Sequence, residues 1–123
     1  MPAPQPPSQN LYHYRAVVTD VYDGDTCTVD IDLGLNTWIH GEKLRLHRIN
    51  APELTGRTRA RGVAARDHLR KLILNQTVVI QTIKDRREKY GRYLAEIWLE
   101  QNGRWTNVND AMIASGHVQR TRY

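Results

Sequence analysis

Asp23-Gly24-Asp25-Thr26-Cys27-Thr28-Val29-Asp30-Ile31-Asp32-Leu33 joins a tight polar turn to an alternating strand. Cys27, Val29, Ile31 and Leu33 alternate with Thr26, Thr28, Asp30 and Asp32, the period of two expected of a strand with one buried face. Upstream, Tyr12 to Val21 is rich in Tyr and Val and reads as the preceding strand. Asp23-Gly24 turns the chain between the two. Cys27 falls on the apolar face, which predicts a buried thiol rather than a nucleophile.

Downstream, Gly34 to Gly41 forms a turn region, with Trp38 and Ile39 entering the next strand. In that strand Leu44 and Leu46 point inward while Lys43, Arg45 and His47 point out. Ile49 then breaks the alternation, which predicts a bulge or bend near Arg48. From Thr58 to Leu74 the apolar residues Ala65, Leu69, Leu72 and Ile73 recur at helical spacing. Thr58 is placed to cap the start of that helix, and Arg70 and Lys71 suit its negative end. Thr77 to Lys84 and Tyr93 to Glu100 are two more strands, joined by the charged loop Asp85 to Arg92. Asn102-Gly103 signals a hairpin. A short helix from Val108 to Ser115 ends on Gly116. Five short strands with a helix between the third and fourth predict an α+β fold built on a small barrel. Their order alone leaves several such barrels open.

The composition bounds the chemistry. At 123 residues, 40% hydrophobic and 25% charged, the chain suits one soluble core. Its net charge of +5 favours an anionic partner, and 14 of its 18 basic residues are arginine. Arginine grips phosphate through a planar fork that lysine lacks. A single cysteine rules out an internal disulfide and a cysteine metal cluster. The histidines (His13, His40, His47, His68, His117) show no zinc spacing; His47 shares a strand face with Arg45 and reads as a rim residue. No apolar run is long enough for a membrane helix. Met1 to Asn10 carries four prolines and no hydrophobic run, which predicts a disordered extension ahead of one domain over residues 11–123. With no signal peptide there, a cytoplasmic location is expected, a processed secreted form being the alternative.

Three polar segments carry the chemistry: Asp23-Gly24-Asp25-Thr26, Arg45 with Asn50-Ala51-Pro52-Glu53, and Tyr90-Gly91-Arg92. Taken singly, the first and last are ordinary turn sequences. Together they supply oxygen ligands for a hard cation, a carboxylate to take a proton from water, and two guanidiniums for phosphate oxygens. In this order and spacing, from about Val17 to Val118, they resemble the staphylococcal nuclease (thermonuclease-like) family. The resemblance selects an OB-fold, a five-stranded barrel with one long helix between strands three and four and a short C-terminal helix.

The resemblance also implies roles. Asp25, the Asn50 side chain and the Ala51 carbonyl would bind Ca2+, with Asp23 and Thr26 standing behind them. Glu53 would activate the attacking water. Arg45 and Arg92 would hold the scissile phosphate, and Arg92 would also assist the departing 5′-oxygen. Lys89 and Tyr90 would contact the nucleotide. The implied activity cuts DNA or RNA to 3′-phosphate ends with little base specificity; no obligate protein partner is evident in the sequence, and a monomer is expected. The alternative is an OB-fold module that binds nucleic acid with little or no catalysis. The family usually has aspartate at the position of Asn50 and a longer loop than Asp85 to Tyr90. The tyrosines flanking its nucleotide pocket have no matched positions here, Tyr123 being the nearest stand-in. Arg57, Arg59, Arg61, Arg66 and Arg70 read either as a DNA-facing patch or as a solvated helix face.

Overall fold

The computed structural model describes residues 11–87 and 91–121. Its strands are β1 (His13–Asp23), β2 (Thr26–Asp32), β3 (Trp38–Leu46), β4 (Ile49–Asn50), β5 (Thr77–Arg87), β6 (Tyr93–Gln101), β7 (Arg104–Asn107) and β8 (Gln119–Arg120). A 3-10 turn, Gly56–Thr58, leads into α1 (Arg59–Ile73), and α2 (Val108–Ser115) follows β7. In the main sheet β1 lies between β2 and β5, β2 pairs with β3, and β5 pairs with β6. A parallel pairing of β3 with β6, Leu44 to Leu46 against Tyr93 to Ala95, closes these five strands into a barrel. This is an α+β OB-type barrel with the long helix after its third long strand.

The alternating residues fill the barrel as the period of two demands. Val18, Val21, Cys27, Val29, Leu44, Leu46, Ile80 and Ile97 are fully buried. Burial pushes the Cys27 thiol up to about 12, so it is an inert core residue. Leu33 lies beyond the barrel on the β2–β3 tip and is exposed, contrary to its place in the alternation. Helix α1 covers one end, burying Ala65, Leu69 and Ile73. Thr58 does not cap it through its side chain; its hydroxyl donates instead to the Glu53 carbonyl at 2.9 Å. Arg70 likewise does more than complement the helix dipole, because its guanidinium donates to the Val21 carbonyl at 3.1 and 3.2 Å. Asn102 and Gly103 take positive φ of 53° and 78°, as a type I′ hairpin requires. Gly116 closes α2 in the left-handed conformation, with φ 79°.

Several features lie outside the sequence reading. β5 continues to Arg87, shortening the expected loop, and Arg87 pairs with Tyr93. The irregularity near Arg48 is a turn, with Arg48 at φ 73°. After it β4 pairs with β8 in a two-residue ladder, Ile49 with Arg120 and Asn50 with Gln119. A buried polar bridge holds this corner. Asn109, fully buried, donates to the carbonyls of His47 and Ala95 at 2.9 and 3.0 Å and accepts from the Ile97 N–H at 3.0 Å. Beside it Arg48 forks onto Glu96 at 2.7 and 3.0 Å and reaches Asp110 at 2.8 Å.

Candidate active site

β3 is the strand that assembles the site. Its Arg45 is in register with Thr26 of β2 on one side and with Leu94 of β6 on the other. The beginnings of β2 and β6 therefore meet at the end of β3. There Asp23, Asp25, Thr26, Arg45, Asn50, Ala51, Glu53 and Arg92 line one cleft of about 510 Å³. Lys89 and Tyr90 lie outside the described residues.

The turn before β2 is shaped by its own acids. Asp23 Oδ1 accepts from the Asp25 N–H at 3.0 Å, closing a local turn that positions the Asp25 carboxylate. Gly24 is needed here for space. A Cβ at this position would lie 2.7 Å from the Ala65 Cβ of α1 and 2.9 Å from the Ala51 Cβ. Gly62 does the same for the other segment, a turn earlier on α1. Its Cβ would strike the backbone of Glu53, whose carbonyl carbon would lie at 2.8 Å. Two glycine contacts thus let α1 carry both acidic segments at backbone distance.

Asp25 is the hub. It is 3% exposed, and each of its oxygens is engaged. Oδ2 accepts from the Ala51 N–H at 2.8 Å and lies 3.4 Å from Arg45 Nη2. Oδ1 accepts from the Thr26 hydroxyl at 2.9 Å. The Thr26 oxygen in turn accepts from Arg92 Nη1 at 2.8 Å. Two guanidiniums therefore bracket one carboxylate, Arg45 directly and Arg92 through a hydroxyl. Arg45 is not the outward residue expected of its strand face. It is 9% exposed, because β4 folds over it and supplies the Ile49 carbonyl at 3.2 Å and Asn50 Oδ1 at 3.0 Å.

The residues suit a hard cation. Among the described residues no group of three or more His, Cys, Asp or Glu side chains could hold a metal. An amide oxygen and a backbone carbonyl fall outside such a count, yet both are usual ligands of calcium. Asp25 Oδ2 and Asn50 Oδ1 already converge on a single positive centre, Arg45 Nη2, at 3.4 and 3.0 Å. Asp23 lies beside this pair, its Oδ1 on the Asp25 N–H. Burial, and then the neighbouring Asp25, push its carboxyl from 3.8 up to about 7.

That shift has a testable consequence. An acid whose pKa is raised by folding stabilises the fold below its unfolded value and loses that contribution as pH rises through about 7. Asp23→Asn keeps the oxygen that caps Asp25 and removes the charge. In the presence of chelator, the substitution is expected to raise Tm by on the order of 5 °C near pH 8 and to leave it unchanged near pH 4. Equal Tm shifts at both pH values would mean that ionisation of Asp23 is not the cause.

The profile of the staphylococcal nuclease homologue family matches residues 43–122, about two thirds of the chain. The chain belongs to that family. The match begins at Lys43, so the Asp23–Thr26 turn enters the site by the fold, through the β2–β3 register. The chain also resembles the uncharacterized protein MJ1439 of Methanocaldococcus jannaschii, with 27% identity over 128 residues covering 87% of this chain. It spans 59% of that relative's length.

Set beside the family pattern, the structure brings together Asp23, Asp25, Thr26, Arg45, Asn50, Ala51, Glu53 and Arg92 in one cleft. It adds four lining residues that the motifs do not mark: Asp20, Tyr22, Thr28 and Lys43. Tyr22 is 63% exposed, an aromatic face at the mouth of a polar cleft. Its signal in the sequence is its position immediately before Asp23. No helix of the described residues is long and apolar enough to cross a membrane.

Proposed function

We propose that this chain is a calcium-dependent nuclease that hydrolyses DNA and RNA to 3′-phosphate ends with little base specificity. The observation that carries the reading is the pair of guanidiniums, Arg45 and Arg92, bracketing Asp25 in a cleft that Glu53 also lines. A phosphodiester entering this cleft meets forked donors from β3 and from the residue before β6, suited to oxygens whose charge grows in the transition state. Glu53 takes the proton of the attacking water as the new oxygen–phosphorus bond forms. The bond from phosphorus to the 5′-oxygen breaks, and that oxygen leaves as a hydroxyl with a proton drawn from solvent, assisted by Arg92. The phosphate stays on the 3′-oxygen. Asp25, Asn50 and Ala51 would hold the calcium, which when bound supplies positive charge to the phosphate.

The test is incubation of single-stranded DNA and RNA with calcium or with chelator, followed by analysis of the ends. The reading requires calcium-dependent cleavage leaving 3′-phosphates. Tight binding without cleavage would return the chain to the binding-module alternative.

Asn50 sharpens the metal assignment. With a neutral amide beside Asp25 the set carries one anionic ligand, so calcium should bind weakly. Affinity in oxygen-ligand sites follows ligand charge, and a nearby added carboxylate acts strongly even at moderate dielectric. Asn50→Asp is expected to tighten calcium binding by roughly tenfold or more, measured by calorimetry. Indifference to that substitution would remove Asn50 from the ligands.

A further inference from the structure

A second cavity, of about 570 Å³, lies against the cleft and shares Asn50 and Ala51 with it as a common wall. Its size falls within the roughly 300–1,000 Å³ usual for small-ligand sites. One side is the exposed start of α1, with Ala60, Arg61 and Ala64. The other is the segment after α2, with His117 and Gln119. Small apolar side chains leave flat walls, the His117 imidazole offers an aromatic edge, and Gln119 offers an amide. Arg61 is exposed and makes no ion pair or side-chain hydrogen bond among the described residues. Arg57 and Arg59 are exposed in the same way, but of the three only Arg61 lines the cavity.

The wall is more than adjacent. Asn50 and Gln119 are register partners in the β4–β8 ladder, so the cavity's far side is hydrogen-bonded to the strand that lies in the cleft. The cavity also has a defined orientation to the chemistry. Arg92 reaches Asp25 through Thr26 and Oδ1, whereas Ala51 contacts Oδ2. Arg92 and Thr26 line the cleft and not the cavity, so the cavity lies beyond the Asn50–Ala51 wall from Arg92.

Resting on the nuclease reading, we propose that this cavity is a substrate subsite. It holds the nucleoside whose 3′-oxygen keeps the phosphate, with its base against the Ala60–Ala64 wall and His117, and with Arg61 on the next phosphate along. The nucleoside on the Arg92 side is the one that departs. An aromatic base on such a surface is held by stacking and apolar contact, which is tolerant of base identity. Arg61 contributes a phosphate contact without sequence preference.

The experiment compares two substrates. An oligothymidylate fills both sides of the scissile bond, whereas thymidine 5′-(methyl phosphate) has no nucleoside and no ring on the retained side. Ala64→Phe blocks the cavity from an exposed helix position, and Arg61→Ala removes its cation without touching the core. Each variant is expected to lower kcat/KM on the oligothymidylate by on the order of tenfold, the worth of one base or phosphate contact, and to leave the methyl ester unaffected. Unchanged cleavage of both substrates, or an equal loss on both, would overturn the subsite. An unmodified chain inert on both substrates would instead sink the nuclease reading, and the subsite with it.

Discussion

Glu53→Gln is expected to lower phosphodiester cleavage by roughly 10²–10⁴-fold, the usual worth of a positioned general base. The residue is exposed, lines the cleft with Asp25, Arg45 and Arg92, and has no core packing to lose. Its position is set by backbone, through the Thr58 hydroxyl on its carbonyl at 2.9 Å and the close approach of that carbonyl to Gly62. Glutamine preserves this backbone and the side-chain length, and removes only the ability to accept a proton. Folded-state signatures and calcium affinity should therefore match those of the unmodified chain while turnover collapses. Full turnover in a variant with unchanged circular dichroism would exclude Glu53 from proton transfer.

The largest effect on stability is expected at Asn109, well away from the cleft. Asn109→Ala removes the acceptor for the buried Ile97 N–H and donors to the His47 and Ala95 carbonyls. A buried group deprived of its partner costs about 1–3 kcal/mol. Summed over the bridge, the loss should reach about 3–5 kcal/mol, a large part of the stability of a chain this size. Asn107→Ala provides the contrast. Asn107 caps α2 by accepting from the Asp110 N–H at 2.8 Å and donates to Glu96 Oε1 at 3.1 Å, partly solvated contacts worth about 1–2 kcal/mol together. Urea unfolding of the two variants separates these cases. Equal midpoints would show that the bridge is no stronger than a helix cap.

These two positions also mark how legible the chain is. The place of Glu53 in the cleft was legible because a short motif, Asn50-Ala51-Pro52-Glu53, ties it locally to Asn50 and Ala51. Asn109 was not legible. It sits in a helix of ordinary composition, and its partners are 12, 14 and 62 residues away. The abundance of arginine misleads in the same way. Arg48 and Arg70 hold the fold together from the inside, and only their surroundings separate them from Arg45 and Arg92.

The sequence by itself determined the local elements and the inventory of reactive groups. A period of two, a helical period, Asn102-Gly103 and Gly116 act over a few residues, so their consequences are written in neighbouring side chains. Tertiary structure decided the rest. The parallel β3–β6 pairing brings Arg92 to Thr26 across 66 residues. A two-residue ladder, too short to show any period, buries Arg45 and builds the wall between the two cavities. Contacts of this kind depend on how the barrel closes and which surfaces then meet. No stretch of sequence carries that information, because the geometry arises only when distant segments share one volume.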